Sequence, residues 1–234
     1  MFVVVSSFKR PKMSNETNGF IPFEAQQFSE AEMKERAANF YRYMDKRRSL
    51  RHFSDQTVPK SVIEDLIKTA STAPSGAHMQ PWTFCAISSA EIKLKIREAA
   101  EKEEYENYHG RMSDRWLKDL EPFGTDHIKP FLETAPWIIV VMKRSYEFVD
   151  GEKKNNYYST ESVGLATGFL LAAIHNAGLV ALTHTPSPMN FLARVLGRPE
   201  NEKPFLLIPV GYPAKDAEVP KLDRKPLEEI AVFY

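Results

Sequence analysis

Arg47-Arg48-Ser49-Leu50-Arg51 places three guanidinia and a hydroxyl within five residues. Each guanidinium is permanently charged and offers forked N–H donors that match phosphate oxygens two at a time, so the stretch can grip a phosphate from several sides. Taken alone, such a run is more often the solvated end of a charged helix than a ligand site. The remaining chemistry-bearing residues form no competing motif. No GxGxxG or Walker loop is present, which removes the usual dinucleotide and P-loop sites. His52, His78, His109, His127, His175 and His184 are scattered and none falls in HExxH spacing, so no metal site is expected. There is no GxSxG, and Cys85, within an apolar run, reads as a buried and unreactive thiol.

Composition narrows the class further. The chain has 234 residues, 31 Lys+Arg against 31 Asp+Glu, and 43% hydrophobic residues. That is the balance of a soluble globular protein with a large core, without the basic excess that nonspecific nucleic-acid binding needs. A single cysteine excludes an intrachain disulfide, and a reducing, cytoplasmic compartment is the simpler expectation. Phe2-Val3-Val4-Val5 is too short for a signal-peptide core or a membrane span, so no membrane anchor is expected.

The elements that must position the arginines follow from periodicity and punctuation. Residues 1–22 are polar and aperiodic and read as disordered, with Met13 a second possible start. Ser29 and Glu32 form a capping box that opens a helix with Met33, Ala37, Phe40, Tyr41 and Met44 on one face. That helix delivers Arg47 at its C-terminal end. Pro59 is expected at the first position of the next helix, with Val62, Ile63, Leu66, Ile67 and Ala70 as its core face. Pro74 to Trp82 is a loop, Phe84 to Ile87 a strand, and Ser88 to Glu91 a second capping box. Residues 105–130 mix aromatic, charged and glycine residues, a pattern suited to an excursion over a site. Trp137 to Met142, Leu179 to Thr183 and Phe205 to Val210 read as strands. Glu161 to Ala177 is a helix closed by Gly178, carrying a small-residue stripe at Gly164, Gly168 and Ala172. Residues 190–196 form a short helix and a Pro- and charge-rich tail runs from Pro213. The order of elements implies one α/β or α+β domain over residues 23–234.

Five segments taken in order, Arg47 to Phe53, Thr72 to Phe84, Asn176 to Pro186, Pro209 to Pro213 and Asp223 to Ile230, resemble the FMN-dependent nitroreductase superfamily, and within it the iodotyrosine deiodinase branch. The resemblance implies an α+β fold with a central, mostly antiparallel sheet flanked by helices. It implies an intertwined homodimer with FMN at the subunit interface. Arg47, Arg48, Ser49, Leu50 and Arg51 then match the flavin-binding segment, with Arg224 completing the phosphate and ribityl contacts. Ser75 and Gly76 match a segment reaching the flavin from the partner subunit. Thr183, His184 and Thr185 match the strand end beside the isoalloxazine. The Thr185 hydroxyl is the candidate for N5 and for tuning the flavin toward one-electron steps, a catalytic role; at His184 the animal enzymes commonly carry threonine. Glu104, Tyr108 and Lys129 match the residues that hold the amino-acid zwitterion, and the Ala77 N–H would favour a bound phenolate. Without the resemblance, Glu104 would be a solvated helix face and Lys129 a surface lysine. A lid at about 101–130 would close over substrate. The implied activity is reductive removal of iodide from mono- and diiodotyrosine, with bromo- and chlorotyrosine as further substrates. The electrons would come from NAD(P)H, directly or through a partner reductase. A general nitroreductase or quinone reductase, and a flavin-binding protein without turnover, are the competing readings.

Overall fold

Helix and strand periodicities resolve into a four-stranded antiparallel sheet with helices on both faces. The computed structural model describes residues 20–234, so most of the segment expected to be disordered lies outside the described residues. Two compact units are delimited, one ending at Arg42 and the other comprising Tyr43–Tyr234. In α1 (Glu30–Asp45) the expected capping box is formed: Ser29 N–H donates to Glu32 Oε2 at 2.8 Å, and Glu32 N–H donates to Ser29 Oγ at 3.3 Å. Of its apolar stripe, Met33, Phe40 and Tyr41 are exposed and Met44 is half-buried.

The sheet has the order β1-β2-β6-β5, built from β1 (Trp82–Ile87), β2 (Trp137–Arg144), β5 (Val180–Ala181) and β6 (Glu202–Gly211). Side chains alternate across a strand, and β2 is apolar at every step from Ile138 to Met142, so it is buried on both faces. Ile139 and Val141, with Ile208 and Val210 of β6, pack under α2 (Lys60–Ser71) and α6 (Ser159–Asn176). Ile138, Val140 and Met142 pack against α3 (Ala90–Glu106), α5 (Phe131–Thr134) and α7 (Asn190–Val195).

Several boundaries differ from expectation. Pro59, at ψ 140°, is the N-cap of α2, so that helix begins one residue later, at Lys60. The cap of α3 is Ser89, whose Oγ accepts from Ile92 N–H at 3.4 Å; Glu91 pairs with Lys95 instead of closing a box on Ser88. The strand expected from Leu179 to Thr183 contracts to Val180–Ala181. Antiparallel register sets Leu182 opposite Pro209, which has no N–H to give. Leu182 N–H still donates to Pro209 O at 3.4 Å, and two residues on His184 and Leu207 exchange both main-chain hydrogen bonds, at 2.8 and 3.1 Å. The excursion is helical, with a wide turn at Asn107–Arg111, α4 (Asp114–Leu120) and a tight turn at Glu121–Phe123. An unanticipated hairpin, β3 (Tyr146–Val149) and β4 (Glu152–Asn155), turns on Asp150 and Gly151, both at positive φ.

Candidate active site

The arginine segment is held by its backbone. Arg47 N–H donates to Met44 O at 3.0 Å as α1 ends, and Leu50 N–H donates to Ala181 O at 3.1 Å, so the segment runs along β5. Leu50 is buried and anchors this edge, while Arg47, Arg48, Ser49 and Arg51 line a cavity of about 410 Å³. Thr183 and the tail residues Pro220, Leu222, Asp223 and Arg224 close it. The tail is fastened to the arginines: Arg48 donates to Pro220 O, and Arg224 Nη2 donates to Arg47 O at 3.2 Å. Among the described residues one carboxylate, Asp45, meets these four guanidinia, 3.3 Å from Arg224. Burial, then the like charges of Arg224 and Arg48, hold the Arg47 guanidinium below its ordinary value, and burial does the same to Arg51. Positive charge in excess of its partners, gathered around a cavity, is an anion site.

A second cavity of about 180 Å³ adjoins the first and shares Arg51, Leu182 and Thr183 with it. Glu104, Tyr108, Lys129, His184 and Thr185 line it, with Met112, Trp116, Leu120, Thr125 and Phe131. Neither Glu104 nor Lys129 is a surface residue: they are 6% and 3% exposed and lie 3.5 Å apart. The Lys129 ammonium also donates to Thr125 Oγ1 at 3.1 Å and to Asp126 O. Tyr108 donates its hydroxyl to Thr125 O at 3.1 Å, and its ring lies 5.5 Å from the ammonium. Burial pushes the Glu104 carboxyl up against the opposing pull of Lys129. Burial likewise pushes the Lys129 ammonium down against the pull of Glu104. A compact ion pair of this kind can be opened by a ligand that carries both charges and repartners each of them.

His184 is held in the same wall by its main chain. Its ring stands edge-on to Phe131, with centroids 5.7 Å apart, and its Nε2 is buried without a partner. Burial first, then the charges of Lys129 and Arg51, bring its pKa down to about 3, so the ring is neutral. A buried polar atom left unpaired costs about 1–3 kcal/mol, a cost that a bound group can offset.

Ser75, Gly76 and Ala77 line neither of these cavities. They form a strained turn in which Ala77, His78 and Gln80 all have positive φ. Gly76 has an intrachain reason to lack a side chain, because a Cβ there would sit 2.9 Å from Tyr157 O. Thr125 was not anticipated although it serves both Tyr108 and Lys129; a lone threonine in a polar loop gives no sequence signal. Trp116 and Phe123 were visible only as aromatics out of place in a charged excursion.

Among known proteins, a model of the nitroreductase family matches residues 44–212. The chain is 61% identical to an iodotyrosine deiodinase of Haliscomenobacter hydrossis over 216 residues, 92% of this chain and 97% of that one. It is 48% identical to iodotyrosine deiodinase 1 of Homo sapiens over 221 residues, 94% of this chain and 76% of that one. A crystal structure of oxidized iodotyrosine deiodinase bound to FMN and 3-iodo-L-tyrosine superposes with a TM-score of 0.73 at 29% identity, covering 83% of this chain and 98% of that chain. Shared fold, a family model across the whole sheet, and identity at this level along nine-tenths of the sequence have one reading: the chain belongs to the nitroreductase family, in its iodotyrosine deiodinase branch.

Proposed function

We propose that the protein is an FMN-dependent iodotyrosine deiodinase that converts mono- and diiodotyrosine to tyrosine and iodide. Bromo- and chlorotyrosine are further substrates. The observation that carries the reading is the buried Glu104–Lys129 pair beside Tyr108, in a cavity that opens onto the arginine-lined one. Two buried opposite charges at one site match an amino-acid zwitterion, which carries both.

The residues present fit FMN. The four guanidinia and Ser49 suit its phosphate, and Thr183 lies at the junction of the two cavities, where a ring system would pass from one to the other. When bound, FMN supplies two electrons, drawn ultimately from NAD(P)H or through a partner reductase. The overall change takes up those two electrons and one proton, breaks the carbon–iodine bond, forms a carbon–hydrogen bond and releases iodide.

In this reading the chain's own residues bind, orient and exclude water. Glu104 receives the substrate ammonium, and Lys129 and Tyr108 its carboxylate. Thr185 presents its hydroxyl to the flavin N5 and His184 flanks it. Met112, Trp116 and Leu120, from the excursion, cover the site as a lid over about 101–130. Ser75 and Gly76 meet the flavin from a partner subunit, and the Ala77 N–H faces the phenolate oxygen. The homodimer this requires is supported by apolar surface left uncovered: Leu165 and Phe169 on α6, and Ile230, Val232 and Phe233 in the tail. Among the described residues no helix is long and apolar enough to cross a membrane. The lone cysteine supports a cytoplasmic site of action.

The test is anaerobic. Protein loaded with FMN and reduced with dithionite is mixed with 3-iodotyrosine, and iodide and tyrosine are measured. Stoichiometric release of both is expected. Bound flavin and bound iodotyrosine without iodide release would overturn the reading.

A further inference from the structure

Lys93, Arg97, Glu101 and Glu104 follow one another at spacings of four, four and three along α3, which puts them on one face. All four are directed at residues 129–135. Glu104 meets the Lys129 ammonium at 3.5 Å. Glu101 Oε1 accepts the main-chain N–H of the same lysine at 2.6 Å. That oxygen also takes Arg97 Nε at 2.7 Å, and Arg97 Nη1 reaches Glu133 Oε1 of α5 at 2.7 Å. Lys93 donates to Glu133 O and Ala135 O, at 2.7 and 2.8 Å, carbonyls at the end of that short helix. Two carboxylates one turn apart thus serve a single lysine, one at its ammonium and one at its backbone.

We propose that Glu101, braced by Arg97, is a positioning residue for substrate recognition: by taking the Lys129 N–H it fixes where the lysine's ammonium meets the Glu104 carboxylate. The proposal rests on the deiodinase reading, because it takes Lys129 as the partner of the substrate carboxylate. Lysine has four side-chain torsions, and its ammonium is defined only if its Cα is. Pro130 follows directly and cannot share the task, since it has no N–H and its own φ is fixed. A carboxylate acceptor makes the main-chain bond charge-assisted and short. Arg97 and Glu101 retain 27% and 21% side-chain exposure, so water still screens part of their ion pair. Its effect is felt at the Lys129–Glu104 pair, which is buried.

The experiment compares the FMN-loaded parent with Glu101→Ala and Glu101→Gln. In Glu101→Ala the Lys129 amide exchanges its hydrogen faster in the ligand-free protein. KM for 3-iodotyrosine rises about tenfold while kcat stays within about twofold, the loss of one charge-assisted bond felt in binding. FMN affinity is unchanged, and Tm falls by a few degrees because the Lys129 N–H and Arg97 lose their acceptor. Glu101→Gln keeps an acceptor for the Lys129 N–H and recovers most of the KM. Unchanged KM in Glu101→Ala overturns the proposal, as does a rise in KM accompanied by an equal loss of FMN affinity, which marks a merely structural role. A parent that does not bind iodotyrosine overturns the deiodinase reading and this proposal together. A parent that binds, with Glu101→Ala binding equally well, overturns this proposal alone.

Discussion

Lys129 keeps a charge in a place where charge is expensive because several oxygens converge on its ammonium: the Glu104 carboxylate, Thr125 Oγ1 and Asp126 O. Removing either charge leaves the other for the substrate to meet alone. Glu104→Gln and Lys129→Ala should each weaken 3-iodotyrosine binding by about 10- to 100-fold, as expected for one lost charged hydrogen bond, while FMN content is retained. Titration of ligand against flavin fluorescence checks this, and parental affinity in both variants would remove the zwitterion assignment. Nothing local marks Glu104 as special in the sequence. Glu101, Glu103, Glu104 and Glu106 form one acidic run, and they are separated only by which side of α3 meets the 125–129 loop. The resemblance to known relatives picked Glu104; it did not show that Glu101 shares the same lysine. His184 carries a pH signature of its own. The unfolded chain protonates this ring near 6.5, the native state only near 3, so between those values the unfolded state holds more protons. Stability therefore falls as pH is lowered from 6.5 toward 3, by at most about 1.4 kcal/mol per pH unit from this group. Urea unfolding at pH 7 and pH 5 should show a smaller drop in His184→Thr than in the parent; an equal drop would mean the native ring is not held neutral.

Among the elements, those with an apolar face against the sheet were legible. The spacing of Ile63, Leu66 and Ala70 gave α2, and the unbroken run in β2 gave a strand buried on both faces. The β3–β4 hairpin escaped because Glu152-Lys153-Lys154-Asn155 has no apolar alternation and is exposed throughout; its Asp150-Gly151 turn was the available sign. Periodicity also says that a face is apolar without saying what covers it. Most of the stripe of α1 stays exposed, and among the described residues a Cβ added at Gly164 or Gly168 of α6 finds nothing within 4 Å. That openness makes α6 the place to test the proposed dimer. Gly168→Glu has room in the protomer and improves helix propensity, so the protomer should stay folded. A charge set beside Leu165 should nonetheless shift the protein from dimer to monomer in sedimentation velocity and lower FMN retention with it. A parent that sediments as a monomer with FMN bound would exclude the shared-site arrangement.

Over the Tyr43–Tyr234 unit as a whole, the segment of greatest anion-binding character and the segment that sets the substrate site lie far apart in the chain. The arginines precede the first strand of the sheet; Glu104 and Lys129 flank the excursion; Thr183 to Thr185 follow α6; Arg224 is near the C-terminus. The main-chain bonds of Leu50 to Ala181 and of His184 to Leu207 fix the arginine segment and Thr183 to Thr185 side by side, and the two adjoining cavities gather the rest around them. Arg51 stands in the wall common to both cavities, and its charge acts on Lys129 and His184. Where one of two ligands at such a wall changes the affinity for the other, the linkage is reciprocal. If iodotyrosine binds the flavin-loaded protein more tightly than the empty one by some factor, FMN must be retained more tightly by that same factor once iodotyrosine is present. Halotyrosine supply would then decide how much of the protein keeps its flavin when flavin is scarce, making substrate abundance a control on the amount of working enzyme.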